Sequence, residues 1–230
     1  NVRGIMNNKN EEFDWGNANQ WFKETIKDEF FNGDKNVYEQ VFEVEENDVV
    51  MDVGASIGPF SYHLKGRNIK HLYAIEPSET QIVTLAKNID TIPHTIIQNV
   101  INDEDLIIYH SFGDSDGHEI IKAKSFMEVV EEYGIDKIDF LKTDCEGGEY
   151  NIFNVENICW LKENMGKCSG EWHLSTPESK KQFREFRDVF LRVFPKYEVY
   201  AICGTNIKWD LWNEHFIEYY NEVIIHIDNR

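Results

Sequence analysis

Short apolar runs, separated by amphipathic stretches of helical length, recur along the chain from Asp48 onward. Strand-like runs occur as DVVMDV (48–53), HLYAIE (71–76), HTIIQNV (94–100), KIDFLKTD (137–144), KCSGEW (167–172) and YEVYAI (197–202). Helix-like stretches fall between several of them, at Ser78 to Ile89, Ser125 to Tyr133 and Pro177 to Phe194. Ahead of the first run, Trp21, Phe22, Ile26, Phe30 and Phe31 stand at roughly helical spacing and predict an amphipathic N-terminal helix. LIIYHSFGDSDGHEII (106–121) predicts two short strands around a Gly/Asp/Ser turn. The last apolar run, FIEYYNEVIIHI (216–227), follows Trp212 with no intervening helix in its pattern and is expected to return antiparallel. Strand, helix, strand in repetition predicts an α/β fold, a parallel sheet covered on both faces, because parallel neighbours need a crossover connection.

Composition narrows this to one compact domain: 230 residues, 41% hydrophobic and 13% aromatic, suffice for a single sizeable core. Residues 1–47 are expected to form an N-terminal helical extension and 48–230 the catalytic core. A formal charge of −19 repels phosphate backbones, and no basic patch concentrates against it, so no nucleic-acid partner is expected. With neither a secretory leader nor an apolar run long enough to span a bilayer, the chain reads as soluble and cytoplasmic, with no membrane partner. Its opening on Asn1 rather than Met fits either a trimmed chain or a piece of something longer. Cys145, Cys159, Cys168 and Cys203 lack the close pairing of a zinc or redox site and fit thiols in a reducing compartment.

In an open sheet of this kind, ligands collect outside the carboxyl ends of the strands. The first such turn lies in DVVMDVGASIGPF (48–60), where Gly54 and Gly58 allow tight backbone geometry and close ligand approach. Pyrophosphate is poorly served there, since Pro59 has no N–H to donate and Asp52 carries a repelling charge. A cationic nucleoside such as S-adenosylmethionine, which has an ammonium, a sulfonium and no phosphate, suits the turn better; the alternative is that Asp52 merely caps it. Glu76, about twenty residues further on, is placed to accept hydrogen bonds from ribose hydroxyls, or is simply a solvated strand end. Asn99, Val100 and Ile101 follow the third strand and offer an amide and two apolar faces to an adenine.

The fourth strand ends in IDFLKTDCEGGEY (138–150), which crowds Asp144, Glu146 and Glu149 around Gly147-Gly148. Like charges raise one another's pKa, so function is a better reason for this crowding than surface solvation. The fifth strand ends in GEWHL (170–174), adding Glu171, Trp172 and His173 to the same rim. His173 is the natural titrating group, with a structural histidine as the alternative.

VVMDVGASIGPF, YAIEPS, IDFLKTDCEGGEYNIF and GEWH, in this order, resemble the FkbM family of S-adenosylmethionine-dependent methyltransferases. The resemblance spans Asp48 to Leu174, and its most specific piece is Lys-x-Asp-x-Glu-Gly-x-Glu, met by Lys142, Asp144, Glu146, Gly147 and Glu149. It implies a class I, Rossmann-like methyltransferase fold: seven strands, mostly parallel, the last antiparallel, with helices on both faces. It implies O-methylation of a hydroxyl on a sugar, glycan or small natural product. Cofactor residues are then expected at Asp52, Gly54, Ala55, Ser56, Gly58, Phe60, Glu76, Pro77, Ser78, Asn99, Val100 and Ile101. Ser56 departs from the family, which commonly has Asn there. The acceptor's proton is expected to pass to His173 or to one of Asp144, Glu146 and Glu149. Asp144, Glu146 and Glu171 also offer hard oxygen ligands to a divalent metal. Trp172, Trp209, Trp212 and Tyr150 are candidate walls for a saccharide acceptor, with core packing as the alternative. Thr143-Asp144-Cys145-Glu146 replaces the Asn/Asp-Pro-Pro-Tyr/Phe segment usual in enzymes that methylate nucleobase amines. Two rivals remain: an NAD-dependent oxidoreductase and a catalytically silent methyltransferase-like binding protein.

Overall fold

A computed structural model describes residues 13–31, 36–102, 106–109, 118–121 and 123–230. The central sheet has seven strands: β1 (Val49–Val53), β2 (His71–Ile75), β3 (His94–Ile97), β8 (Ile138–Thr143), β9 (Met165–His173), β10 (Tyr197–Tyr200) and β11 (Glu222–Asp228). Their order is β10-β11-β9-β8-β1-β2-β3. The five strands from β3 to β9 run parallel, while β11 pairs antiparallel with both β9 and β10. This is the class I arrangement the resemblance implied. Short strands β4 (Val100–Ile101) and β7 (Ala123–Lys124) pair parallel beside it. β5 (Leu106–Tyr109) and β6 (His118–Ile121) form the expected antiparallel pair, whose connecting turn lies outside the described residues.

Alternation along the strands builds two cores. Met51 and Val53 of β1 and Ile75 of β2 face one of them, together with Phe126, Leu161 and Phe183 from the helices on that side. Val50, Leu72 and Ala74 face the other, against Ile26, Phe30, Phe60 and Leu85. The helices begin where local chemistry predicts. α4 (Phe126–Glu132) opens on a Ser125/Glu128 capping box. α7 (Pro177–Glu185), capped by Thr176 with Pro177 at its first position, continues through a π turn to Val193. α3 (Glu79–Asn88) fills the crossover between β2 and β3. Short helices α2 (Pro59–Tyr62), α5 (Glu149–Ile152) and α6 (Ile158–Asn164) complete the layers. Among the described residues no helix is long and apolar enough to cross a membrane.

Two boundaries differ from expectation. The run 216–227 is not one strand: its first part is α8 (Glu214–Tyr219), capped by the Asn213 side chain, with Phe216 and Ile217 buried. A helix-period stretch there runs directly into a strand-period one, and the combined run hides the change. The predicted strand 94–100 is broken after Ile97, since Val100 and Ile101 leave the sheet to pair with β7.

Of the N-terminal extension, the described part forms α1 (Gln20–Ile26), a π turn over Lys27–Phe31 and a single 3-10 turn at Val37–Glu39. Trp21 is 71% exposed rather than part of the apolar face. Asn88 staples the extension to α3: its Nδ2 donates to the Asp14 and Ile57 carbonyls and its Oδ1 accepts from the Asp14 amide.

Candidate active site

The carboxyl ends of β1, β2 and β8 open into a cavity of about 400 Å³, within the range that encloses a nucleoside-sized ligand. The β1 turn supplies Gly54 and Ser56. Gly54 has φ 74°, and a Cβ there would stand 1.8 Å from the Asp144 carbonyl oxygen, so only glycine lets the β1 and β8 turns meet. Ser56 also lies in the left-handed region, at φ 52°, and its amide donates to Glu76 Oε2 at 2.8 Å. The Ser78 amide holds the other oxygen, Oε1, at 2.8 Å. Glu76 is thus fixed at the cavity wall by two backbone donors. Burial pushes its carboxyl up to about 7, against the opposing pull of these two hydrogen bonds.

Eight of the twelve expected cofactor residues line this cavity: Gly54, Ser56, Glu76, Pro77, Ser78, Asn99, Val100 and Ile101. Asn99 is buried, and its Oδ1 has no hydrogen-bond partner among the described residues. The remaining four do not line it. Asp52 is fully buried one layer below, accepting from Ser61 Oγ at 2.6 Å and ion-paired with Lys142 Nζ at 3.1 Å. The two stand directly opposite in the β1–β8 register. Lys142 also donates to the Gly54 carbonyl at 2.8 Å and so props the turn from beneath. Burial alone would lower its ammonium, but Asp52 and Asp144 outweigh that and raise it. Ala55 and Phe60 are core, Phe60 stacking on Phe140. The Gly58 amide is spent on the Ala55 carbonyl, and Pro59 follows it. The turn therefore has little to offer a pyrophosphate.

The carboxylate rim adjoins the same cavity through Asp144 and Glu146. Asp144 Oδ2 accepts from the buried Tyr38 hydroxyl at 2.9 Å. The Glu146 side chain is 90% exposed, on a left-handed backbone with φ 55°. Glu149 faces inward: fully buried, it accepts from the Cys145 amide and lies 2.9 Å from His173 Nδ1. His173 Nε2 points between Glu171 and Glu146, 3.5 Å from each. Burial alone would lower the imidazole, yet the Glu149 hydrogen bond and the charges of Glu149, Glu171 and Asp144 outweigh it and raise it to about 10. Glu171 is pushed up to about 9, first by burial and then by Asp144. Among the described residues, Asp144, Glu171 and His173 form a group able to hold a metal, their ligand atoms lying within 4.8 Å of one another. His173 takes the place expected for Glu146 in that group.

The expected aromatic acceptor wall is not at the cavity. Trp172 is fully buried in the core and Tyr150 is spent on the His173 carbonyl, while Trp209 is 81% exposed. Trp212 donates to the Tyr197 hydroxyl at the start of β10. Sequence reasoning missed Tyr38, Phe22, Ile26, Phe30 and Gln81, which border the site from outside its motifs.

A seven-stranded sheet in this order, with an amide-fixed carboxylate after β2 and a carboxylate rim after β8 and β9, defines a methyltransferase-type α/β domain. The chain belongs to the FkbM methyltransferase family: the model described as "Methyltransferase FkbM domain" matches residues 52–200. Its methyl donor is S-adenosylmethionine. No curated protein sequence matches. Among solved structures, the chain is similar to Aeropyrum pernix fibrillarin with natively bound S-adenosyl-L-methionine, at 11% identity and TM-score 0.48 over 83% of this chain and 71% of that one. It is also similar to precorrin-6y C5,15-methyltransferase from Geobacter metallireducens, at 13% identity and TM-score 0.46 over 88% and 95%. Likenesses this low leave the strand order and the family match as the basis for the fold.

The residues present fit the donor. Glu76 presents an amide-fixed carboxylate and Asn99 a buried carbonyl oxygen without a partner among the described residues.

Proposed function

We propose that the protein transfers a methyl group from S-adenosylmethionine to a hydroxyl of a saccharide or small natural product. The observation that carries this reading is the shared cavity: the donor anchor Glu76 and the carboxylates Asp144 and Glu146 line one 400 Å³ space. When bound, S-adenosylmethionine supplies an electrophilic methyl on a sulfonium centre. Glu76 would accept from the ribose hydroxyls and Asn99 Oδ1 from an amino N–H of the base, with Val100 and Ile101 as the apolar lining beside it. Asp144, with one oxygen occupied by Tyr38, keeps the other for the acceptor hydroxyl, and it or Glu146 takes the proton. His173, an imidazolium at neutral pH, has no lone pair to serve as base and instead balances the rim's negative charge.

The test is a screen of neutral saccharides and hydroxylated small molecules with methyl-labelled donor. Label recovered as a base-stable methyl ether, and lost in Asp144→Asn combined with Glu146→Gln, is the expected result. Label recovered on nitrogen, or full activity in the double variant, contradicts it. A second reading adds a divalent cation at Asp144, Glu171 and His173, favoured by their mutual proximity. Activity abolished by a chelator and restored by magnesium would favour it, and indifference to chelation would remove it.

A further inference from the structure

We infer that the segment ahead of the family's domain is part of the methyl-donor site, with Phe22 as its contact residue; this rests on reading the cavity as the donor site. The family match begins at residue 52, yet Phe22, Ile26 and Phe30 line the same cavity as Glu76, Ser78 and Asn99. Their spacing of four keeps them on one apolar face, Phe22 and Ile26 in α1 and Phe30 in the π turn that continues it. One cavity thus combines an apolar lining from this segment with a polar one from Glu76, Ser78 and Asn99, the pairing a nucleoside needs for its ring faces and its edges.

This apolar lining is tied to the rest of the cavity. The Asn88 staple and the Lys87–Asp14 ion pair anchor the segment to α3, which also sets Gln81 on the cavity and follows directly from Ser78. Ile26 and Phe30 are buried, whereas Phe22 lines the cavity while only half-buried.

Calorimetry with S-adenosylhomocysteine on the full chain tests this. Phe22→Ala is expected to weaken binding about tenfold, as loss of most of an aromatic contact would. Trp21→Ala, at the exposed neighbouring position, is expected to bind like the parent protein, and both variants should melt within a few degrees of it when unliganded. Phe22→Leu, which keeps an apolar side chain, should recover most of the affinity. Independently of any variant, amides of residues 20–31 should gain hydrogen-exchange protection when the parent protein is saturated with S-adenosylhomocysteine. Parent-like affinity in Phe22→Ala, or unchanged protection of residues 20–31, overturns the inference while leaving the proposed function standing. Failure of the parent protein to bind overturns both.

Discussion

Tyr38 and Asp144, 106 residues apart in sequence, meet through a 2.9 Å hydrogen bond in which the phenol donates to Oδ2. Tyr38 is itself held by a buried network: Asn36 accepts from its amide and donates to Glu39, which is ion-paired with Arg67. Removing the hydroxyl takes one donor from a charged acceptor and leaves the ring in place. Tyr38→Phe is therefore expected to cost about 1–2 kcal/mol of stability, read from urea unfolding. A change too small to measure would mean that the bond is not maintained in solution.

Glu76 is expected to dominate donor affinity. In Glu76→Gln, one carboxylate oxygen becomes an NH2 facing either the Ser56 or the Ser78 amide, so two donors confront each other and a ribose acceptor is lost. S-adenosylhomocysteine should bind about 10- to 100-fold more weakly by calorimetry. Unchanged affinity would place the ribose elsewhere.

Two of the left-handed residues in the β1 turn should respond in opposite directions. Gly54→Ala forces a Cβ onto the Asp144 carbonyl and should destabilise by about 3 kcal/mol or more. Ser56→Asn puts at φ 52° a residue that tolerates this region, and should stabilise by a few tenths of a kcal/mol up to about 1. Thermal unfolding of both checks the pair, and the same sign of shift in each would refute the argument.

Much of this turn was legible because its chemistry is local. A strand ending in glycines, an acidic residue after β2 and a run of carboxylates after β8 are each written in one short segment. Phe22 was not legible as a site residue, because an apolar helix face looks the same whether it covers core or ligand, and Tyr38 was not, because it sits in a single 3-10 turn 106 residues from the carboxylate it meets. Trp172 was ambiguous for the converse reason: strand position shows that a side chain alternates, but not whether its face lies under a helix, as here beneath Phe186. α8 was lost in a continuous apolar run whose period changes near Asn221.

The rim should make stability fall as pH rises. His173 is raised to about 10 and Glu171 to about 9, and outside the rim burial raises Glu76 and Glu29, the latter in the π turn after α1, to about 7. Each folded-state value lies above its ordinary one, so the native protein holds protons that the unfolded chain releases. The stabilisation is complete below the unfolded values and is lost as pH rises through the folded ones. The urea midpoint should therefore decline between about pH 5 and about pH 10, and Glu171→Gln, neutral throughout, should flatten that decline. A midpoint that rises over this range would contradict the assignment.

The cavity after β1, β2 and β8 is held to be built for a sulfur nucleoside and not for a dinucleotide. Equilibrium binding of labelled S-adenosylmethionine, challenged with unlabelled S-adenosylhomocysteine and separately with NAD, tests this most directly. One site per chain, emptied by S-adenosylhomocysteine and untouched by NAD, is the predicted result; no binding, or displacement by NAD at comparable concentration, would contradict it.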